Sequence, residues 1–97
     1  MLDQAKMLWR ANQVRNELKK TEIEAKSNDG SVVVIVNGEM HILKIELNEE
    51  MLKPENKRSL EKSIQNTTAE ALSRAQAIAA EKTKAVMKDL NLNIPGM

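Results

Sequence analysis

Two periods of apolar residues divide this chain of 97 residues. From residue 3 to residue 22 the apolar positions Met7, Ala11, Val14 and Leu18 step by four, three and four, the seam of a helix that packs against another helix. The period then falls. Ile23 to Ser27 reads as a short strand, Asn28-Asp29-Gly30 as a turn, and Ser31 to Leu47 as two apolar runs around Asn37-Gly38. Asn-Gly is a strong signal for a two-residue turn, because both central residues tolerate positive φ. That turn pairs Val36 with Glu39, Val34 with His41 and Val32 with Leu43. One face of the hairpin then carries Val32, Val34, Val36, Leu43, Ile45 and Leu47, and the other Val33, Ile35, Met40 and Ile42. A hairpin with one solvated face alternates apolar and polar residues; this one is apolar on both, so each side needs a cover.

After a loop over Asn48 to Lys53, Pro54 fits the first turn of a second helix running to about Leu90. Leu60, Ile64, Thr68, Ala71, Ala75, Ile78 and Val86 fall at helical spacing, and six alanines between Ala69 and Ala80 let a neighbouring backbone come close. Such a helix is about 50 Å long at about 1.5 Å per residue, more than a domain this size covers, so its second half projects or packs on the first helix or another subunit. The expected architecture is α+β in a single domain, 1–97: helix over 1–22, a three-stranded antiparallel meander over 23–47, a long helix over 54–90 and a breaker-rich tail over 91–97. The chain's own helices are expected on one side of the hairpin and a second copy on the other. Val33, Ile35, Met40 and Ile42 are the candidates for the dimer interface, with the Val32/Val34/Val36 side as the inverted alternative.

Composition narrows the chemistry. The chain has no cysteine, hence no disulfide framework and no thiolate chemistry. Asp3 and the early charges do not fit a secretory signal, and the longest apolar run, Val32 to Val36, is far short of a membrane span, so a cytoplasmic protein with no membrane partner is expected. His41 is the single histidine, on a strand face beside Val34, where a structural role outweighs a catalytic one; Glu39 could orient its ring, but no nucleophile accompanies it. Glu46, Glu49 and Glu50 lack a His or Asp partner and read as a solvated loop rather than a metal site. No phosphate-cradling glycine loop is present. Nothing assembles an enzyme, a cofactor site or a metal site.

The net charge is only +1, but its distribution is uneven. Residues 1–20 carry five bases against two acids, residues 21–56 three against eight, and residues 57–97 seven against four. Both ends are basic and the middle is acidic. Lys6 and Arg10 are i, i+4 neighbours, as are Lys84 and Lys88, while Arg15, Lys19 and Lys20 lie further along the first helix. Binding of nucleic acid by such clusters is phosphate-led and salt-sensitive. A single Trp and no Phe or Tyr argue against a stacking platform for single strands. Trp9 lies off the apolar seam, either capping the edge of the helix contact or serving as an exposed anchor for a protein partner.

The order of these segments resembles the YbaB/EbfC family of bacterial nucleoid-associated proteins. The segments that carry the likeness are Gly30-Ser31-Val32-Val33-Val34-Ile35-Val36-Asn37-Gly38, Ile42-Leu43-Lys44-Ile45-Glu46-Leu47 leading to Met51-Leu52, Leu60 opening the long helix, Glu70-Ala71-Leu72-Ser73-Arg74-Ala75-Gln76, and Pro95-Gly96-Met97. Family members often carry a Gly- and Lys-rich leader and a Gly-rich turn before the second strand; here the leader is missing, the turn is Asn28-Asp29-Gly30, and Ala69 stands where Asn is common. The resemblance implies a homodimer formed through the sheets, helical arms that project like tweezers, and duplex DNA as the partner, bound at the nucleoid with low sequence specificity. Lys6, Arg10, Arg15, Lys82, Lys84 and Lys88 are the expected DNA contacts. A dimeric protein-interaction module that clasps another protein through its arms and Trp9 is the alternative reading, and a small-ligand protein a weaker third.

Overall fold

The computed structural model describes residues 2–89, with side chains from Gln4 onward. The expected tail, 91–97, lies outside them, as does Leu90. Helix α1 (Leu2–Lys20) leads into strand β1 (Glu22–Lys26), then β2 (Val32–Asn37) and β3 (Ile42–Leu47); two short 3-10 turns, Glu49–Met51 and Pro54–Asn56, precede helix α2 (Lys57–Asp89). The sheet is an antiparallel meander in the order β1-β2-β3. The expected α+β architecture is the one that forms, with the long helix starting three residues after Pro54, which instead opens a 3-10 turn.

α2 packs on β1 and β2. The core between them contains Ile23 and Ala25 of β1, Val32, Val34 and Val36 of β2, and Leu60, Ala71 and Ala75 of α2, with Ile64, Leu72 and Ile78 half-buried at its margin. Alanine at 71 and 75, both fully buried, lets the helix axis approach the sheet closely. Each fully buried valine contributes roughly 1.5–3 kcal/mol relative to exposure.

The β1–β2 turn is held by one carboxylate. Oδ1 of Asp29 accepts from the Ser31 amide (3.0 Å), the Ser31 hydroxyl (2.7 Å) and the Ser27 hydroxyl (2.8 Å). Gly30 takes φ +76°, which other residues adopt at a cost. These hydrogen bonds, the Ser31 hydroxyl first, hold the Asp29 carboxyl down at about 2, below its usual 3.8.

The β2–β3 connection differs from the expected two-residue turn. Asn37 pairs with His41 (Asn37 N to His41 O, 3.0 Å), and Met40 N donates to Asn37 O (3.0 Å), closing a three-residue loop. Met40, at φ 65°, takes the left-handed position of a turn followed by a bulge. A second irregularity falls between Ile35 and Val36, so the pairs are Val32 with Leu47, Val34 with Ile45, Ile35 with Lys44 and Val36 with Ile42. The three-residue loop and this irregularity together move Val34 from His41 to Ile45, an even shift that keeps Ile45 and Leu47 on the Val32/Val34 side. The irregularity brings Ile42 to that side too. Val33, Ile35, Met40 and Ile42 therefore do not form one face: Val33 and Ile35 lie on the side away from α2, Ile42 beside Val36, and Met40 in the loop.

The reason is that Asn37 and Gly38 serve α1. A helix leaves its last four carbonyls without intrahelical partners. The Gly38 amide donates to Leu18 O (2.8 Å), Asn37 Nδ2 to Lys19 O (3.3 Å), and the Thr21 hydroxyl to Glu17 O (2.7 Å). Asn37 Oδ1 also accepts from the amides of Glu39 and His41, both at 3.0 Å. A Cβ at residue 38 would stand 2.8 Å from Leu18 O and 2.9 Å from Leu18 Cα. Glycine is needed here for close approach to the helix end.

Candidate nucleic-acid interface

Beyond the sheet, α1 and the second half of α2 run side by side in opposite directions. Two ion pairs fix their alignment: Arg10 with Asp89, and Lys82 Nζ with Glu17 Oε2 at 3.3 Å. Arg10 also donates to Gln13 Oε1 at 3.1 Å. Together the two helices make an arm on a molecule with Cα extents of 62 × 26 × 14 Å. Between them, and reaching the β2–β3 turn, runs an apolar groove of about 660 Å³ whose walls include Met7, Val14 and Leu18 of α1, Val86 and Met87 of α2, and Met40.

The six expected DNA contacts all fall on this arm, which brings the two basic ends of the sequence together. Their surroundings differ. Arg10 and Lys82 brace the arm through the pairs above. Arg15 Nε stands 3.5 Å from Glu39 Oε2. Lys6, Lys84 and Lys88 have no carboxylate of the described residues within ion-pair distance, and all three are exposed. Trp9 is 61% exposed and its neighbour Leu8 67%, so neither seals the contact between the helices. His41 is exposed at the turn rather than packed into an apolar face. Among the described residues no group of three or more His, Cys, Asp or Glu could hold a metal ion, and no helix is long and apolar enough to cross a membrane.

An apolar surface that residue spacing alone did not isolate lies along β3. Since α2 rests on β1 and β2, the side chains of β3 that share the core's side extend past the helix. Ile42, Leu43, Ile45 and Leu47 are 37–51% exposed, and Leu52 beyond them is 56% exposed. The opposite side of the sheet is more polar, with Glu22, Glu24 and Lys26 of β1, and Lys44 ion-paired to Glu46 at 2.6 Å on β3.

The model of the YbaB/EbfC DNA-binding family matches residues 1–90. The chain is 35% identical over 81 residues to the nucleoid-associated protein GWCH70_0020 of Geobacillus sp. (strain WCH70), covering 84% of this chain and 73% of that protein. It is 32% identical over 87 residues to the nucleoid-associated protein PMM0020 of Prochlorococcus marinus, covering 90% and 74%. In fold it is similar to the crystal structure of uncharacterized protein HP0035 from Helicobacter pylori, with a TM-score of 0.69 at 18% identity, over 80% of this chain and 90% of that one.

Proposed function

This chain belongs to the YbaB/EbfC DNA-binding family, and on that premise we propose that it acts at the nucleoid as a homodimer that binds duplex DNA with low sequence specificity, through phosphate contacts made by its helical arms. The observation that carries the reading is the arm itself. Antiparallel packing of α1 on α2 collects the basic ends of the chain, and leaves Lys6, Lys84 and Lys88 at its outer end without a neighbouring carboxylate among the described residues. Exposed lysines of this kind neutralise phosphates and read no bases, so binding tolerates many sequences.

Dimerisation has its own support. A row of half-exposed aliphatic side chains continuous with the core, Ile42, Leu43, Ile45 and Leu47, is an unusual surface for an isolated subunit. A second copy meeting it along β3 buries both rows at once and points two arms from one base. Met40 and Ile42 stay candidates for that contact, whereas Val33 and Ile35 support it less, being half-buried among charged neighbours on the other side of the sheet.

Fluorescence anisotropy of a labelled mixed-sequence duplex tests the reading, with the mass of the protein measured alongside. A dimer whose affinity falls with salt, at a log–log slope of roughly −0.9 per phosphate neutralised, is the expected result. Reversal of Lys84 and Lys88 to Glu should abolish binding and leave the dimer intact. A second reading is favoured by Trp9 and Leu8, both exposed on α1: a module whose arms grip another protein. Absence of duplex binding at low salt would select it.

A further inference from the structure

At the base of the arm, α1 and the β2–β3 turn enclose a second cleft, polar and about 420 Å³ in volume, lined by Asn12, Arg15, Asn16, Lys19, Glu39 and His41. The four α1 residues fall at i, i+3, i+4 and i+7, one row along the helix. All four carry N–H donors, five of them on the Arg15 guanidinium. The single carboxylate of the lining, Glu39, approaches Arg15 Nε at 3.5 Å without a hydrogen bond, and the Arg15 side chain is 75% exposed. Among the Lys, Arg and Glu side chains of the lining, the two cations outnumber the carboxylate by one.

Both walls are tied to one buried side chain. The Asn37 carboxamide accepts from the amides of Glu39 and His41 and donates to the carbonyl of Lys19, and Asn37 is 3% exposed. The two walls of the cleft are therefore held opposite each other by the fold, and the donors that line it are exposed to solvent.

We propose that this cleft seats one phosphodiester of the DNA backbone, bound by Arg15 and Lys19 with the amides of Asn12 and Asn16, and that Glu39 competes with the phosphate for Arg15. The proposal rests on the DNA-binding reading and adds a second contact region, at the base of the arm, to the lysines of its outer end. Glu39 is an internal anion that lowers affinity, so duplex is released more readily than the arm's basic residues alone would allow.

The test compares the wild-type protein with Glu39→Gln and with the double change Arg15→Gln, Lys19→Gln, by anisotropy on a mixed-sequence duplex at several salt concentrations. Glu39→Gln should tighten binding roughly threefold. The double change should weaken it roughly tenfold and reduce the salt slope by about 0.9, one phosphate's share. In the unmutated protein, the side-chain amide resonances of Asn12 and Asn16 should shift on addition of duplex. Duplex binding with those resonances still, and with both variants equal to wild type, overturns the seat and leaves the arm-tip reading standing. Absence of duplex binding by wild type at low salt overturns both.

Discussion

The base of the molecule and its arm are held by different physics. In the base, Val32, Val34 and Val36 are wholly buried under Ala71 and Ala75. In the arm, Val14, Leu18, Val86 and Met87 are only half-buried, and the described ion pairs lie at solvent-exposed sites. Exposed pairs are worth about 0–1 kcal/mol each, less than one buried valine. Stability therefore concentrates in the sheet and the first half of α2, while the arm opens at lower cost. Between the two stands the contact of Asn37 and Gly38 with the end of α1, which joins the arm to the base by hydrogen bonds to backbone.

The contrast can be broken at the base first. Val34→Asp puts a carboxylate into a site with no polar partner and should cost about 4 kcal/mol or more, abolishing the cooperative melt seen by circular dichroism. A variant that still melted near wild type would refute the claim that stability resides there. Next comes the junction. Gly38→Ala forces a methyl against the backbone of Leu18 and should cost about 2–3 kcal/mol in denaturant titrations. Hydrogen exchange should speed most in the last turn of α1, and equal loss of protection in β2 would argue against a local latch. In the arm, a double-mutant cycle on Arg10 and Asp89 should return a coupling of about 0.5 kcal/mol that fades with added salt. A coupling several times larger would place the arm among the rigid parts.

The last expected effect is on pH dependence, read with Asp29→Asn. Because folding depresses this carboxyl from 3.8 to about 2, its contribution is complete above the unfolded value and disappears as pH falls through the folded one. Melting temperatures followed down through that window should fall more steeply for wild type than for the Asn variant. Parallel curves would mean the turn does not depend on the charge.

Much of the base was legible because its signals are local and repeated. The stripe from Leu60 through Ala71 and Ala75 has one period over many turns, the Val32/Val34/Val36 alternation has another, and Gly30 marks a turn that only short-range hydrogen bonds decide. The β2–β3 turn was not legible, since Asn37-Gly38 has two possible uses. Locally it favours a two-residue turn; in the fold its amides go to carbonyls some twenty residues earlier, and the loop lengthens to allow it. Met40 then takes the left-handed position, which nothing in a methionine advertises. The expected face of Val33, Ile35, Met40 and Ile42 shared that fate, because the side of Ile42 depends on one extra residue in the ladder. For the arm, helical spacing and charge located the basic residues, but their pairing with Asp89, Glu17 and Glu39 arises from contacts distant in sequence. Even the row of Asn12, Arg15, Asn16 and Lys19 reads as ordinary solvated helix until the β2–β3 turn stands opposite it.

The capping of α1 by Asn37 and Gly38 also sets an order of events at the ribosome. α1 is synthesised before the sheet and α2, yet a helix of 19 residues with a weak apolar seam is marginal alone in water. The groups that satisfy its final carbonyls emerge only after β1 and β2 have been made, and its partner surface on α2 later still. Hairpin closure takes microseconds, far faster than synthesis, so the wait is set by translation. A helix made before the sheet is thus completed after it, and until then its seam of Met7, Val14 and Leu18 is open to any chaperone or neighbouring chain within reach.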